Sequence, residues 1–166
     1  MKAYMSLTCK PGSYNEVLKK LLFSLRLDQQ NLFLLFGPVD ILLQFPDLKD
    51  ISEFIEKWFN PTRMSGVAKT VSHIVISEGP KLLERPFAFV FLNTEPKSLE
   101  AVRTKLLKIP EVLSADSVLG PFDVICSVKA ADSQELETLV LLIQQIEGID
   151  ASFTSVVSPL RVMPDW

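Results

Sequence analysis

Apolar positions alternate, cluster and recur along this chain in a way that predicts eight strands and four helices. Residues 2–8 predict a strand. From residue 13 to 26, Val17, Leu18, Leu21, Leu22 and Leu25 fall on one face at helical spacing, while Glu16, Lys19 and Lys20 fall elsewhere. Pro11-Gly12-Ser13 supplies the stop and start signals ahead of that helix. Residues 31–36 and 39–45 predict two strands joined by a Gly37-Pro38 turn. A second helix is predicted over 50–59, with Ile51, Phe54, Ile55 and Trp58 inward and Asn60-Pro61 as terminator. A strand over 70–77 follows. The order then returns: strand 87–92, helix 97–108 ended by Pro110, and strands 113–119 and 122–128 around Gly120-Pro121. The last helix starts at an Asp132 N-cap, with Glu135 placed for the reciprocal capping contact, and runs to Ile146. Gly148 closes it, and residues 153–157 form the final strand.

The recurrence extends to residue identity. Gly37-Pro38-Val39-Asp40 returns as Gly120-Pro121-Phe122-Asp123. At an offset of 85, Ala3 meets Ala88, Leu7 meets Leu92, and Lys20-Leu21-Leu22 meets Lys105-Leu106-Leu107. An offset of 83 aligns Asp40 with Asp123, and one of 82 aligns Gly66 with Gly148. The offset changes between periodic segments, where loops tolerate insertion. Each copy reads β-α-β-β-α-β. The expected fold class is therefore α+β: two tandem ferredoxin-like (βαββαβ) sandwiches of the dimeric alpha-beta barrel type, sheets packed face to face. Right-handed crossovers put both helices on one sheet face. Strand 87–92 is apolar on both faces, so its other face is expected to be covered too. The expected domains are 1–78 and 86–159, with a linker at 79–85 and a C-terminal tail at 160–166, loose or laid across a groove.

Composition sharpens this. Of 166 residues, 48% are hydrophobic, which is rich for units of this size and points to an interface. Net charge is −3 with no basic stripe, which argues against direct nucleic-acid binding. Cys9 and Cys126 occupy non-equivalent positions and no CxxC exists, so neither a zinc site nor a redox motif is indicated. Both are expected as buried thiols in strands. The start, Met1-Lys2-Ala3-Tyr4, has no signal-peptide h-region, and the apolar stretch 32–36 is too short to span a bilayer. A cytoplasmic protein without a membrane partner is expected. His73 is the only histidine, and no Ser or Cys nucleophile has an assignable base. No catalytic residue, metal or cofactor is expected, and the chain is read as a non-enzyme with His73 in a surface or packing role. The run Phe87-Ala88-Phe89-Val90-Phe91 is superficially like an RNA-binding strand, but it lies in an acidic half and reads as packing.

Candidate binding chemistry gathers at the repeated hairpin. Glycine at 120 would let a ligand approach the backbone closely, and an aspartate at 123 is suited to accept hydrogen bonds from an α-amino group. Ser152, Thr154 and nearby backbone N–H groups suit a carboxylate. The alternative is turn chemistry, in which Gly and Pro make the bend and Asp bonds its local backbone. For Asp40, Thr70 and Ser72 in the first copy the structural reading is the simpler, because Val39 replaces the aromatic residue.

The second copy resembles the effector-binding (RAM, ACT-like) domain of the Lrp/AsnC transcription regulators. The resemblance rests on Ala88-Phe89-Val90, Ile109-Pro110-Glu111-Val112, Gly120-x-Phe122-Asp123, Gly148-Ile149 and Ser152-x-Thr154-Ser155-Val156-Val157. It is weaker over the first copy, where Gly37, Asp40, Gly66-Val67 and Thr70-x-Ser72 match. The family carries a helix-turn-helix domain ahead of this module; here the chain starts at the module's first strand. The resemblance implies a stand-alone tandem module that binds an amino-acid effector and forms homo-oligomers or assemblies with Lrp/AsnC-like regulators. The implied ligand set is Gly120, Phe122, Asp123, Ser152 and Thr154, with Gly37, Asp40, Thr70 and Ser72 in the first copy. The other expectation kept open is a purely structural interaction pseudo-dimer with degenerate ligand sites.

Overall fold

Two βαββαβ runs follow one another along the chain, in a computed structural model that describes residues 1–159. The expectation for the tail at 160–166 lies outside the described residues. The first run is β1 (Ala3–Cys9), α1 (Tyr14–Lys19), β2 (Leu32–Phe36), β3 (Ile41–Phe45), α2 (Ile51–Phe54) continuing to α3 (Asn60–Thr62), and β4 (Val67–Ser77). The second is β5 (Ala88–Thr94), α4 (Leu99–Leu107), β6 (Val112–Leu119), β7 (Val124–Val128), α5 (Ser133–Gln144) and β8 (Ile149–Val157). The fold class is α+β, as the periodicities imply. By its contacts the described chain divides into Met1–Ser72 with Ser158 and Pro159, and His73–Val157. Strand β4 thus runs across the division.

In the first unit β3 pairs antiparallel with β1 (Met5 opposite Leu43) and with β2 (Leu32 opposite Leu43). The Lys10 N–H donates to the Gly66 carbonyl at 2.8 Å, which ties the end of β1 to the start of β4. Met5, Leu7, Val17, Leu21 and Leu43 are buried in its core. Phe45 packs on Phe54 (5.6 Å between ring centroids) and Trp58 (4.9 Å). Both helical runs of this unit contain a wide π turn, Lys20–Ser24 after α1 and Ile55–Phe59 after α2. The Leu25 N–H reaches back to the Lys20 carbonyl at 2.9 Å. The two extra residues of the first copy lie after Leu22, so part of the insertion is taken up as a wider helical turn. Asn60-Pro61 does not terminate the second helix. Pro61 follows directly on the wide π turn Ile55–Phe59, within the last turn of the continuous helical run, which ends at Arg63. The Thr62 hydroxyl secures this turn by donating to the Trp58 carbonyl at 2.7 Å.

In the second unit the strand order is β8-β5-β7-β6, with the end of β4 beside β6, all antiparallel. Strand parity sets the faces. Ala88, Val90 and Leu92 join Val102, Leu106, Leu136, Leu139 and Ile143 in one core on the helix side. Phe89 and Phe91 point the other way, yet they are only 1% and 5% exposed. Strand β5 is therefore covered on both faces, and each such ring contributes about 1.5–3 kcal/mol by burial.

Local chemistry repeats between the copies. Asp132 Oδ1 accepts from the Glu135 N–H (2.8 Å), and Glu135 Oε2 accepts from the Ala131 N–H (2.9 Å). The same reciprocal cap stands at Asp50 and Glu53, at 2.9 Å to the Glu53 N–H and 2.6 Å from the Lys49 N–H. Gly66 (φ +94°) and Gly148 (φ +98°) both adopt a left-handed backbone. A Cβ on Gly148 would meet Ser98 Cβ at 2.4 Å, and one on Gly66 would meet Ser13 Cβ at 3.0 Å. These glycines let the loop after the second helix close onto the first helix of the same copy. The segment after β4 is pinned by Asp116 Oδ1, which accepts the Gly79 N–H at 2.7 Å, and by Arg103, which donates to the Glu78 carbonyl at 2.7 Å.

Candidate functional site

The aspartate of the repeated hairpin has the same partners in each copy. In the second unit the Asp123 N–H donates to the Leu92 carbonyl (2.9 Å), and Asp123 Oδ2 accepts the Thr94 N–H (2.9 Å). In the first unit the Asp40 N–H donates to the Leu7 carbonyl (3.1 Å), and Asp40 Oδ2 accepts the Cys9 N–H (2.7 Å). Each carboxylate thereby clamps the hairpin to the end of the copy's first strand. The bonded backbone is not local, being 29 and 31 residues away. Asp123 Oδ1 has no hydrogen-bond partner among the described residues.

Phe122, directly before Asp123, is the hub of an aromatic cluster. Its ring centroid lies 5.2 Å from Phe91, 5.4 Å from Phe153 and 5.9 Å from His73, the last nearly parallel at 17°. His73 lies against Gly120 (φ +158°), where an added Cβ would approach its Cδ2 to 2.5 Å. Gly120 therefore makes room for a ring. His73 is 1% exposed, and neither imidazole nitrogen has a hydrogen-bond partner among the described residues. Burial pushes its pKa down from 6.5 to about 4, so the ring is neutral. The packing alternative for His73 is what the structure shows, but with two unpaired polar atoms. Period-2 reading of β4 signals it: His73 shares a strand face with Val71 and Val75.

The remaining residues of the expected ligand set fall elsewhere. Ser152 and Thr154 stand opposite Leu92 and Val90 and so share the helix-side face with them. Gln144 of α5 donates to the Ser152 hydroxyl at 2.7 Å. Phe122 contacts Phe91 and Phe153, which point to the opposite face. Gly120 and Phe122 are thus brought together, Asp123 sits at the strand ends, and Ser152 and Thr154 lie on the far side of the sheet. In the first unit Gly37 is exposed at its hairpin and Thr70 is half-buried in β4. The Ser72 hydroxyl is buried without a partner.

Both thiols are held protonated. Cys126 is buried in β7, and burial, then the Asp116 charge, raises its pKa to about 12. Cys9, in β1, is half-buried rather than buried; burial, then Asp40, raises it to about 11. Neither offers a thiolate at neutral pH. Among the described residues no cluster of three or more His, Cys, Asp or Glu is placed to hold a metal, and no helix is long and apolar enough to cross a membrane.

Comparison with known proteins adds the following. Residues 87–159 match the Lrp/AsnC ligand binding domain. The HTH-type transcriptional regulator FL11 of Pyrococcus furiosus is 27% identical over 95 residues, covering 57% of this chain and 62% of the relative. An uncharacterised HTH-type transcriptional regulator of Pyrococcus abyssi is 33% identical over 75 residues, covering 45% of this chain and 48% of the relative. The chain thus spans less than two thirds of the length of these relatives. Among solved structures, the siroheme decarboxylase NirDL superposes with a TM-score of 0.67 over 98% of this chain and 72% of its own, at 8% identity. That likeness shows the fold alone, and shows it across both copies. On the sequence match, residues 87–159 are similar to the Lrp/AsnC ligand binding domain.

Proposed function

We propose that this chain is a non-enzymatic regulatory module that binds a small amino acid or related metabolite and assembles into homo-oligomers or with Lrp/AsnC-like regulators in the cytoplasm. Its two modules are 1–78 and 86–159. The observation that carries this reading is the match of residues 87–159 to a ligand binding domain of transcription regulators. The hairpin supports it: Asp123 Oδ2 is held by the Thr94 N–H, which leaves Oδ1 for an ammonium group, beside Gly120 and Phe122. Ser152 and Thr154, and Gly37, Asp40, Thr70 and Ser72 in the first copy, would serve ligand groups reaching the other face or the twin hairpin. Direct contact with nucleic acid is not part of this reading. The test is calorimetry of the full chain against a panel of amino acids, with Asp123→Asn as control. Saturable heat that the variant weakens supports an effector site; no heat from any member removes it.

A second reading is an interaction pseudo-dimer with degenerate ligand sites. One observation favours it: Asp40 and Asp123 perform the same backbone clamp, a structural task that needs no ligand. Retrieval of a Lrp/AsnC-like regulator by the immobilised chain, unchanged by any amino acid, supports this reading over the first.

A further inference from the structure

The cluster around Phe122 is unlike the rest of the second unit. Three phenyl rings and one imidazole meet there, on the sheet face opposite the helices. Its polar member, His73, is 1% exposed with both nitrogens unpaired among the described residues. Its outermost member, Phe153, is 53% exposed, so the wall reaches solvent on that side. Buried polar groups are as a rule hydrogen-bonded, and a neutral imidazole offers one donor and one acceptor. Burial alone accounts for the neutral state, and no charged group contributes to it. We infer that His73, Phe91, Phe122 and Phe153 form a binding site for a planar aromatic molecule with an uncharged hydrogen-bonding edge, of the phenol or indole class. The ligand ring packs against Phe153 and Phe122, as aromatic pairs do at centroid distances of about 4.5–7 Å. Its hydroxyl or N–H edge pairs with an imidazole nitrogen. An ammonium or carboxylate is disfavoured there, because a charge in this surround keeps its desolvation cost without an opposite charge to offset it. This site shares Phe122 with the effector reading above but does not use Asp123, so the Asp123→Asn control tests that reading and His73→Phe tests this one.

His73 is the only histidine in the chain, so its ring nitrogen and Cε1 resonances are unique reporters in the folded wild-type protein. Phenol and indole are titrated against the full chain, with leucine as the aliphatic control. The expected result is a saturable shift of the His73 ring signals with phenol and indole and none with leucine. In calorimetry His73→Phe is expected to lower the affinity for both probes at least tenfold. Ring signals that stay fixed through millimolar phenol and indole overturn the inference, whether or not the variant folds. So does an equal shift with leucine, or undiminished binding by a folded His73→Phe chain.

Discussion

Lowering the pH from 8 to 5 should destabilise this protein through one residue, His73. His73 has a pKa of about 4 when folded, against 6.5 for the free side chain. A base whose pKa falls on folding binds fewer protons in the native state than in the unfolded one. The native state is therefore favoured by high pH: the full contribution is present above 6.5 and is lost progressively as pH falls toward 4. Linkage between these two values gives a loss of about 2 kcal/mol between pH 8 and pH 5, saturating near 3 kcal/mol below pH 4. Little discounting for solvent is needed, because the side chain is 1% exposed. Urea unfolding followed by far-UV circular dichroism at half-unit steps from pH 8 to pH 5 measures the effect. His73→Phe keeps a ring beside Phe122 and removes the titrating group, so its stability should stay nearly flat over that range. Parallel pH curves for the two proteins would refute the argument, because the proton uptake would then belong to other groups.

Two further predictions concern the repeated features. Gly148→Ala should destabilise the chain by about 2–4 kcal/mol, the strain of a left-handed backbone plus overpacking against Ser98. Gly12→Ala, at φ +81° with nothing within 4 Å, should cost only about 1–2 kcal/mol, and equal losses in urea midpoints would remove the steric component. Asp123→Ala should strip the Thr94 amide of its hydrogen-exchange protection while leaving Cys9 protected, and Asp40→Ala should do the converse. The cost of each is about 1–3 kcal/mol, and unchanged exchange at the partnered amide would show that the clamp does not form in solution.

The duplicated β-α-β-β-α-β order was legible because its signals are short-range. Helical spacing at Leu136, Leu139 and Ile143, the Asp132 and Glu135 cap, and Gly148 all act within a few residues. The same rule misread Asn60-Pro61, because the helical run carries on through the proline after a wide π turn and ends only at Arg63. The hairpin's chemistry was legible only in part. The sequence drew attention to the glycine and aspartate, but the N–H that each carboxylate holds comes from a strand about thirty residues away.

Alternation along a strand tells which residues share a face, so Ser152 and Thr154 belong together from the sequence alone. Only register decides which face that is. Pairing with Val90 and Leu92 turns them toward the helices, and it turns Phe91 and Phe153 toward Phe122. His73 shows the same division. Its strand position left it a surface or a packing residue, whereas its contact with Gly120, its stacking on Phe122 and its unpaired nitrogens required β4 to lie against β6. Periodicity and capping cost or yield energy within a few residues and so are written in the chain. Burial and long-range hydrogen bonds exist only once the strands have chosen their neighbours.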